Sequence, residues 1–133
     1  MTDQPKGFVI GVVDDDQRIL GALEILLESA DYVARAFASA KALLDSGCLA
    51  NIDCLISDID MPVMDGFQLL QVVRAQRPEL PVVLITGLPA MPDRLAPPDA
   101  GSYRLFKKPF GGQELLTALS DALQNPPART SRA

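Results

Sequence analysis

Residues 54–70 read CLISDIDMPVMDGFQLL. The opening run, Cys54 to Ser57, is apolar without alternation, which predicts a strand over 54–57 covered by helices on both sides. The chain then turns polar at Ser57-Asp58-Ile59-Asp60-Met61-Pro62, and Asp65-Gly66 reads as a turn and helix cap. Phe67, Leu70 and Val73, with Leu69 alongside, form the apolar face of the helix that follows. Working outward, runs 8–13 and 82–85 are apolar on both faces in the same way, 33–37 is a further strand, and 102–106 is a fifth. Between them lie amphipathic stretches: Ile19, Leu20, Leu23, Leu26 and Leu27 on one helix, and Leu115, Leu116, Leu119 and Leu123 on the last. A shorter helix over 39–45 can be capped by Ser39. Strands alternating with helices in this manner predict an α/β fold with a parallel sheet and right-handed crossovers.

Two stretches break the rhythm. Residues 88–98 hold four prolines (89, 92, 97 and 98) where a full helix is due between the fourth and fifth strands. A proline inside a helix costs roughly 3 kcal/mol, so a helix here is expected to be short, near 91–96, or irregular. The tail NPPARTSRA at 125–133 has no apolar face and is expected to be disordered or to begin a linker.

Composition narrows function. The 133 residues carry 12 Lys plus Arg against 17 Asp plus Glu, net −5, with no basic stripe to displace counterions from nucleic acid. Histidine is absent, which excludes a histidine general base, a Ser-His-Asp triad and histidine-ligated zinc in this chain. Cys48 and Cys54 make neither a CxxC motif nor a disulfide framework, and Cys54 is expected to be buried in its strand. No run approaches the ~18 apolar residues of a membrane span, and the start lacks the form of a secretory signal, so a cytoplasmic location is expected. The acids are lopsided, 13 Asp against 4 Glu, and Asp favours loops, caps and metal sites over helix faces.

Ligands of open parallel sheets gather beyond the carboxyl ends of the strands. Strand one ends in Asp14-Asp15-Asp16, strand three in Asp58-Ile59-Asp60, strand four in Thr86-Gly87, and Lys107-Lys108-Pro109 follows strand five. If strands one and three are neighbours, Asp14, Asp15 and Asp58 converge, and such carboxylates repel unless a cation lies among them. Hard oxygen ligands with open positions suit Mg²⁺, while Lys108 and Thr86 suit a phosphoryl oxygen. Each piece alone has a plainer reading: Asp14 to Asp16 as helix caps, Asp58 as a solvated loop acid, Thr86 as a turn residue, Lys108 as a surface lysine. Their shared edge favours the joint reading.

The motifs VVDDD at 12–16, SDIDMPVMDGFQLL at 57–70, VVLITG at 82–87 and FKKPF at 106–110 resemble those of the receiver domain of bacterial two-component response regulators, over roughly residues 6–124. The spacings agree as well, at 43 residues from Asp15 to Asp58, 28 to Thr86 and 22 to Lys108. The resemblance implies a flavodoxin-like, doubly wound five-stranded parallel sheet of order 2-1-3-4-5, here with a shortened or irregular fourth helix. It implies Asp58 as phosphoacceptor, with Mg²⁺ held by Asp14, Asp15, Asp58 and the backbone carbonyl of Asp60. Thr86 and Lys108 would hold the phosphoryl group, the small Gly87 would leave access, and the Lys108–Pro109 bond would be cis. Two features depart from the family pattern: Leu105 stands where an aromatic switch residue is usual, and Pro97-Pro98 interrupt the fourth-helix region.

The expected function is therefore a phosphorelay switch that takes a phosphoryl group from a sensor histidine kinase or phosphotransfer protein and acts on a downstream protein partner. It would not be an enzyme beyond slow self-catalysed phosphorylation and dephosphorylation, and would contact neither nucleic acid nor membrane directly. Residues 1–5 would be an N-terminal arm. With Met1 in place, a stand-alone regulator is favoured over a receiver parted from its output domain. Output is expected to run through segment 87–101 and the apolar edge near Leu105. Two other readings stand beside this one: a Mg²⁺-dependent phosphohydrolase of haloacid-dehalogenase type using Asp58 and Asp60, or an interaction module on the same fold that is never phosphorylated. Pro62 and the early position of Asp14-Asp15 fit the hydrolase poorly.

Overall fold

The computed structural model describes residues 7–87, 103–108 and 110–124. In chain order the elements are β1 (Val9–Val13), α1 (Gln17–Ser29), β2 (Val33–Phe37), α2 (Ala40–Ser46), a 3₁₀ turn (Cys48–Asn51), β3 (Cys54–Asp58), α3 (Gly66–Gln76), β4 (Val82–Thr86), β5 (Arg104–Lys107) and α4 (Gly112–Gln124). The five strands form one parallel sheet of order β2-β1-β3-β4-β5, as the motif resemblance implies. The expected helix at 91–96, most of segment 87–101, Pro109, the 1–5 arm and the 125–133 tail lie outside the described residues.

The central strands explain their own composition. Every residue of β3 and β4 is buried, and they divide between two cores. Cys54, Ile56, Val83 and Ile85 pack with Leu20, Leu23 and Leu27 of α1 and Leu115 and Leu119 of α4. Leu55, Val82 and Leu84 pack on the other side with Leu43 of α2 and Leu69, Leu70 and Val73 of α3. A strand with helices over both faces has no side left for polar residues, hence the unbroken apolar runs.

Helix starts follow local chemistry. The Asp16 carboxylate accepts from Arg18 N at the head of α1, and Ser39 Oγ accepts from Ala42 N at the head of α2. Asp65 and Gln68 form a reciprocal capping box at α3. The 3₁₀ turn is held from a distance, by the Arg77 guanidinium donating to the carbonyls of Leu49 (2.9 Å) and Ile52 (2.6 Å).

Register sets up the site. Val13 lies opposite Ser57, and Asp58 opposite Ile85, so Asp14 and Asp58 leave the sheet side by side. Thr86 lies opposite Lys107, which delivers Lys108 to the same edge. The chain runs outward in opposite directions from β1 to β2 and from β3 to β5, so this edge is also the topological switch point where such sheets take ligands.

Candidate functional site

The three adjacent aspartates that end β1 have three fates. Asp14 continues inward and is 1% exposed, Asp15 points to solvent, and Asp16 caps α1. Asp14 is oriented by the backbone, since Asp16 N donates to its Oδ1 at 2.9 Å. From β3, Asp58 emerges 4% exposed, so Asp14, Asp15 and Asp58 present carboxylate oxygens within 4.8 Å of one another. Thr86, at the end of β4, is fully buried beside them. Lys108 is tied to that strand by its N–H donating to the Thr86 carbonyl at 2.8 Å. Its Nζ stands 3.6 Å from Asp14 Oδ2 and 3.3 Å from Asp58 Oδ1.

That spacing leaves Asp58 incompletely satisfied. Its Oδ1 is buried and, among the described residues, its nearest cation is the Lys108 ammonium, an ion pair at 3.3 Å without hydrogen-bond geometry. Burial and then the Asp14 charge push the Asp58 carboxyl up to about 6, with Lys108 pulling the other way. Asp14 is raised too, first by burial, with the Asp16 N–H and Lys108 opposing. On Lys108 burial disfavours the charge, but Asp58 and Asp14 outweigh it and hold the amine above its usual range. Among the described residues the pocket thus gathers three carboxylates against one lysine. The donor set, all hard oxygen with Asp15 open to solvent, fits a small divalent cation such as Mg²⁺.

Asp60 is exposed and sits in the loop just beyond β3. That loop closes on one residue. Ile59 N donates to Ile85 O (2.8 Å), and the Ile59 carbonyl accepts from both Met61 N and Gly66 N (3.0 Å each). Between these anchors Met64 N donates to Pro62 O (2.8 Å) across Val63, which adopts φ +72° with its side chain 97% exposed. The Ser57 hydroxyl, buried, donates to the Asp58 carbonyl at 3.0 Å. Ser57, Val63 and the contacts of Gly66 escaped the sequence reading. Asp65-Gly66 was the available signal, but it reads equally well as a plain helix cap, which Asp65 also is. Among the described residues, a Cβ added at Gly87 would meet Lys108 Cδ at 3.7 Å, an ordinary contact. Leu105, on the edge strand β5, is 42% exposed.

Comparison with known proteins bears on the family and the fold. The family model for the response regulator receiver domain matches residues 10–120. The chain is 33% identical over 129 residues to the transcriptional regulatory protein FixJ of Bradyrhizobium diazoefficiens, covering 96% of this chain and 62% of FixJ. It is 36% identical over 134 residues to the response regulator protein TmoT of Ectopseudomonas mendocina, covering all of this chain and 60% of TmoT. It thus spans about three-fifths of the length of these relatives. Among solved structures, it is similar to the signal receiver domain of an HD domain-containing protein from Pseudomonas fluorescens Pf-5, with a TM-score of 0.79, 34% identity and coverage of 90% and 96% of the two chains. A CheY-like receiver domain protein from Methanospirillum hungatei superposes with a TM-score of 0.80 at 26% identity, covering 90% of this chain and 95% of that one. Strand order, acidic switch point and sequence all converge, and the chain belongs to the response regulator receiver domain family.

Proposed function

We propose that this domain is a phosphoacceptor switch in two-component signalling, with Asp58 as the residue phosphorylated. The observation that carries the reading is the burial of Asp58 at the switch point, beside two further carboxylates and with its Oδ1 3.3 Å from a lysine. Clustering three carboxylates, two of them buried, against one lysine costs stability, and that cost is the mark of a functional site rather than a structural one. Asp14, Asp15, Asp58 and the backbone carbonyl of Asp60 would hold Mg²⁺. When bound, the ion supplies positive charge that lets a carboxylate and an incoming phosphoryl group meet.

The remaining steps belong to the chain. The Asp58 carboxylate attacks phosphorus of a phosphohistidine on a sensor kinase or phosphotransfer protein; the N–P bond breaks and its electron pair stays on the departing imidazole. This chain has no histidine, so the donor imidazole is the partner's. Lys108, already beside Asp58, pairs with a phosphoryl oxygen of the acyl phosphate formed, and the Thr86 hydroxyl donates to another. Both sit at the ends of neighbouring strands, so the new oxygens draw those two segments together. The receiver unit is residues 6–124, acting in the cytoplasm on a protein partner, and its net charge of −5 argues against direct nucleic-acid contact. FixJ and TmoT, which this chain resembles, are regulators by name.

Labelling with phosphoramidate in the presence and absence of Mg²⁺ tests the proposal. One Mg²⁺-dependent, acyl-type label per chain is expected, lost in Asp58→Asn and kept in Asp60→Asn, where only a backbone carbonyl is invoked. Undiminished labelling of Asp58→Asn would refute it, and steady turnover of a phosphate ester would point to a hydrolase instead.

A further inference from the structure

Gly66 opens α3, yet nothing local asks for glycine there. Its backbone is not in the left-handed region, and glycine is among the poorest helix formers. The reason is spatial. A Cβ on Gly66 would lie 2.7 Å from the Asp58 carbonyl oxygen, 2.8 Å from Ile59 Cα and 3.2 Å from the Asp58 carbonyl carbon. All three are backbone atoms, so no side chain can swing aside. Among the described glycines Gly66 is alone in this: a Cβ on Gly11, Gly87, Gly111 or Gly112 would meet only side chains, and one on Gly21 would meet nothing within 4 Å.

We propose that Gly66 is a positioning residue for the phosphoacceptor, its bare Cα letting α3 seat against the peptide group that follows Asp58 and so fixing the Asp58 carboxylate in the acidic pocket. The inference rests on the reading of Asp58 given above. That peptide is gripped from two sides. On one, Ile59 N donates to Ile85 O of β4; on the other, Gly66 N donates to the Ile59 carbonyl, while Ser57 Oγ donates to the Asp58 carbonyl itself. A methyl group at residue 66 forces the head of α3 and the 58–59 peptide apart by several tenths of an ångström. The Gly66–Ile59 bond stretches, the loop carrying Asp60 opens, and Asp58 moves relative to Asp14, within 4.8 Å, and to Lys108, at 3.3 Å. Reaction and metal affinity depend on that geometry, and about 1 Å of misplacement can cost a reaction roughly a hundredfold.

The test uses Gly66→Ala, the control Gly21→Ala on α1, and the double variant, in which the distant substitution adds helix stability. Three quantities are read: the Asp58 carboxyl ¹³C resonance in metal-free protein, the Mg²⁺ Kd from amide shifts, and the rate of labelling by phosphoramidate. Gly66→Ala, alone or in the double variant, should keep native amide dispersion, shift the Asp58 resonance, weaken Mg²⁺ at least tenfold and slow labelling at least tenfold. Gly21→Ala should match the wild type in all three. A Gly66→Ala protein with a lowered melting temperature but Kd, rate and resonance within twofold or unshifted would overturn the proposal. So would unfolding of both the single and double variants, because Gly66 would then serve the fold alone. Should the wild type take neither Mg²⁺ nor label, the phosphoacceptor reading falls, and the Asp58 resonance in the metal-free proteins still decides whether Gly66 positions that carboxylate.

Discussion

Replacing Asp58 by Asn should make the metal-free protein more stable at neutral pH. The folded state pushes the Asp58 carboxyl from 3.8 to about 6, by burial first and then by Asp14. A raised pKa means the folded protein binds this proton more tightly than the unfolded chain does. The stability Asp58 contributes is therefore fully present below about pH 4 and is lost as pH rises through about 6. At about 1.4 kcal/mol per pKa unit, the penalty at pH 7.5 has a ceiling on the order of 3 kcal/mol. Asn keeps the shape and removes the charge, and Lys108 retains Asp14 at 3.6 Å as a partner. A gain of about 1–3 kcal/mol, or roughly 3–10 °C in Tm for a domain of this size, is expected in chelator at pH 7.5. Urea unfolding at pH 7.5 and pH 4 measures it, and the gap should shrink to a few tenths of a kcal/mol at the lower pH. An Asp58→Asn protein no more stable than wild type at pH 7.5, or a gap independent of pH, would refute this account of the pocket.

Mg²⁺ should stabilise the wild type by RT ln(1 + [Mg²⁺]/Kd), about 1.4 kcal/mol at ten times Kd. Asp15→Ala should abolish most of that shift at little intrinsic cost, Asp15 being exposed; an equal shift in the variant places the ion elsewhere. Val63→Gly should stabilise by about 0.5–1 kcal/mol, since a β-branched residue at φ +72° is strained and its side chain, 97% exposed, packs on nothing that would be missed. Denaturant midpoints decide this, and a loss of stability would show that the side chain is held by contacts after all.

How far the chain could be read depends on whether a feature is local. Strands β1, β3 and β4 were legible because burial on both faces leaves an unmistakable apolar run, and their ends fall within a residue of the expected ones. Caps Ser39 and Asp65 were legible because a cap is a contact three residues long. The 3₁₀ turn at Cys48–Asn51 was not, since Arg77, 28 residues beyond Leu49, holds it. Nor does DDD state which acid turns inward. That is settled by the end of β1 and the start of α1, which leave Asp14 facing Asp58 and Asp16 on the helix. Val63 is the least legible of all, because a β-branched residue is a poor candidate for positive φ. The closure of the loop on Ile59, from both sides, accounts for it. The pocket residues were placed by matched motifs, and the structure brings Asp14, Asp15, Asp58, Thr86 and Lys108 to one edge.

The two cysteines turn the fold into a clock with two hands. Cys54 lies at the start of the central strand, fully buried beneath α1 and α4, and that burial pushes its thiol up to about 12. At pH 7.5 its thiolate fraction is on the order of 10⁻⁴ to 10⁻⁵, so an alkylating reagent reaches it at a useful rate only when the sheet itself is laid open. Cys48, half-buried in the 3₁₀ turn, needs no more than a local excursion of that turn. The ratio of their alkylation rates therefore separates fraying of one corner from opening of the whole domain. Any ligand drawn into the acidic pocket would slow the second hand while leaving the first to run.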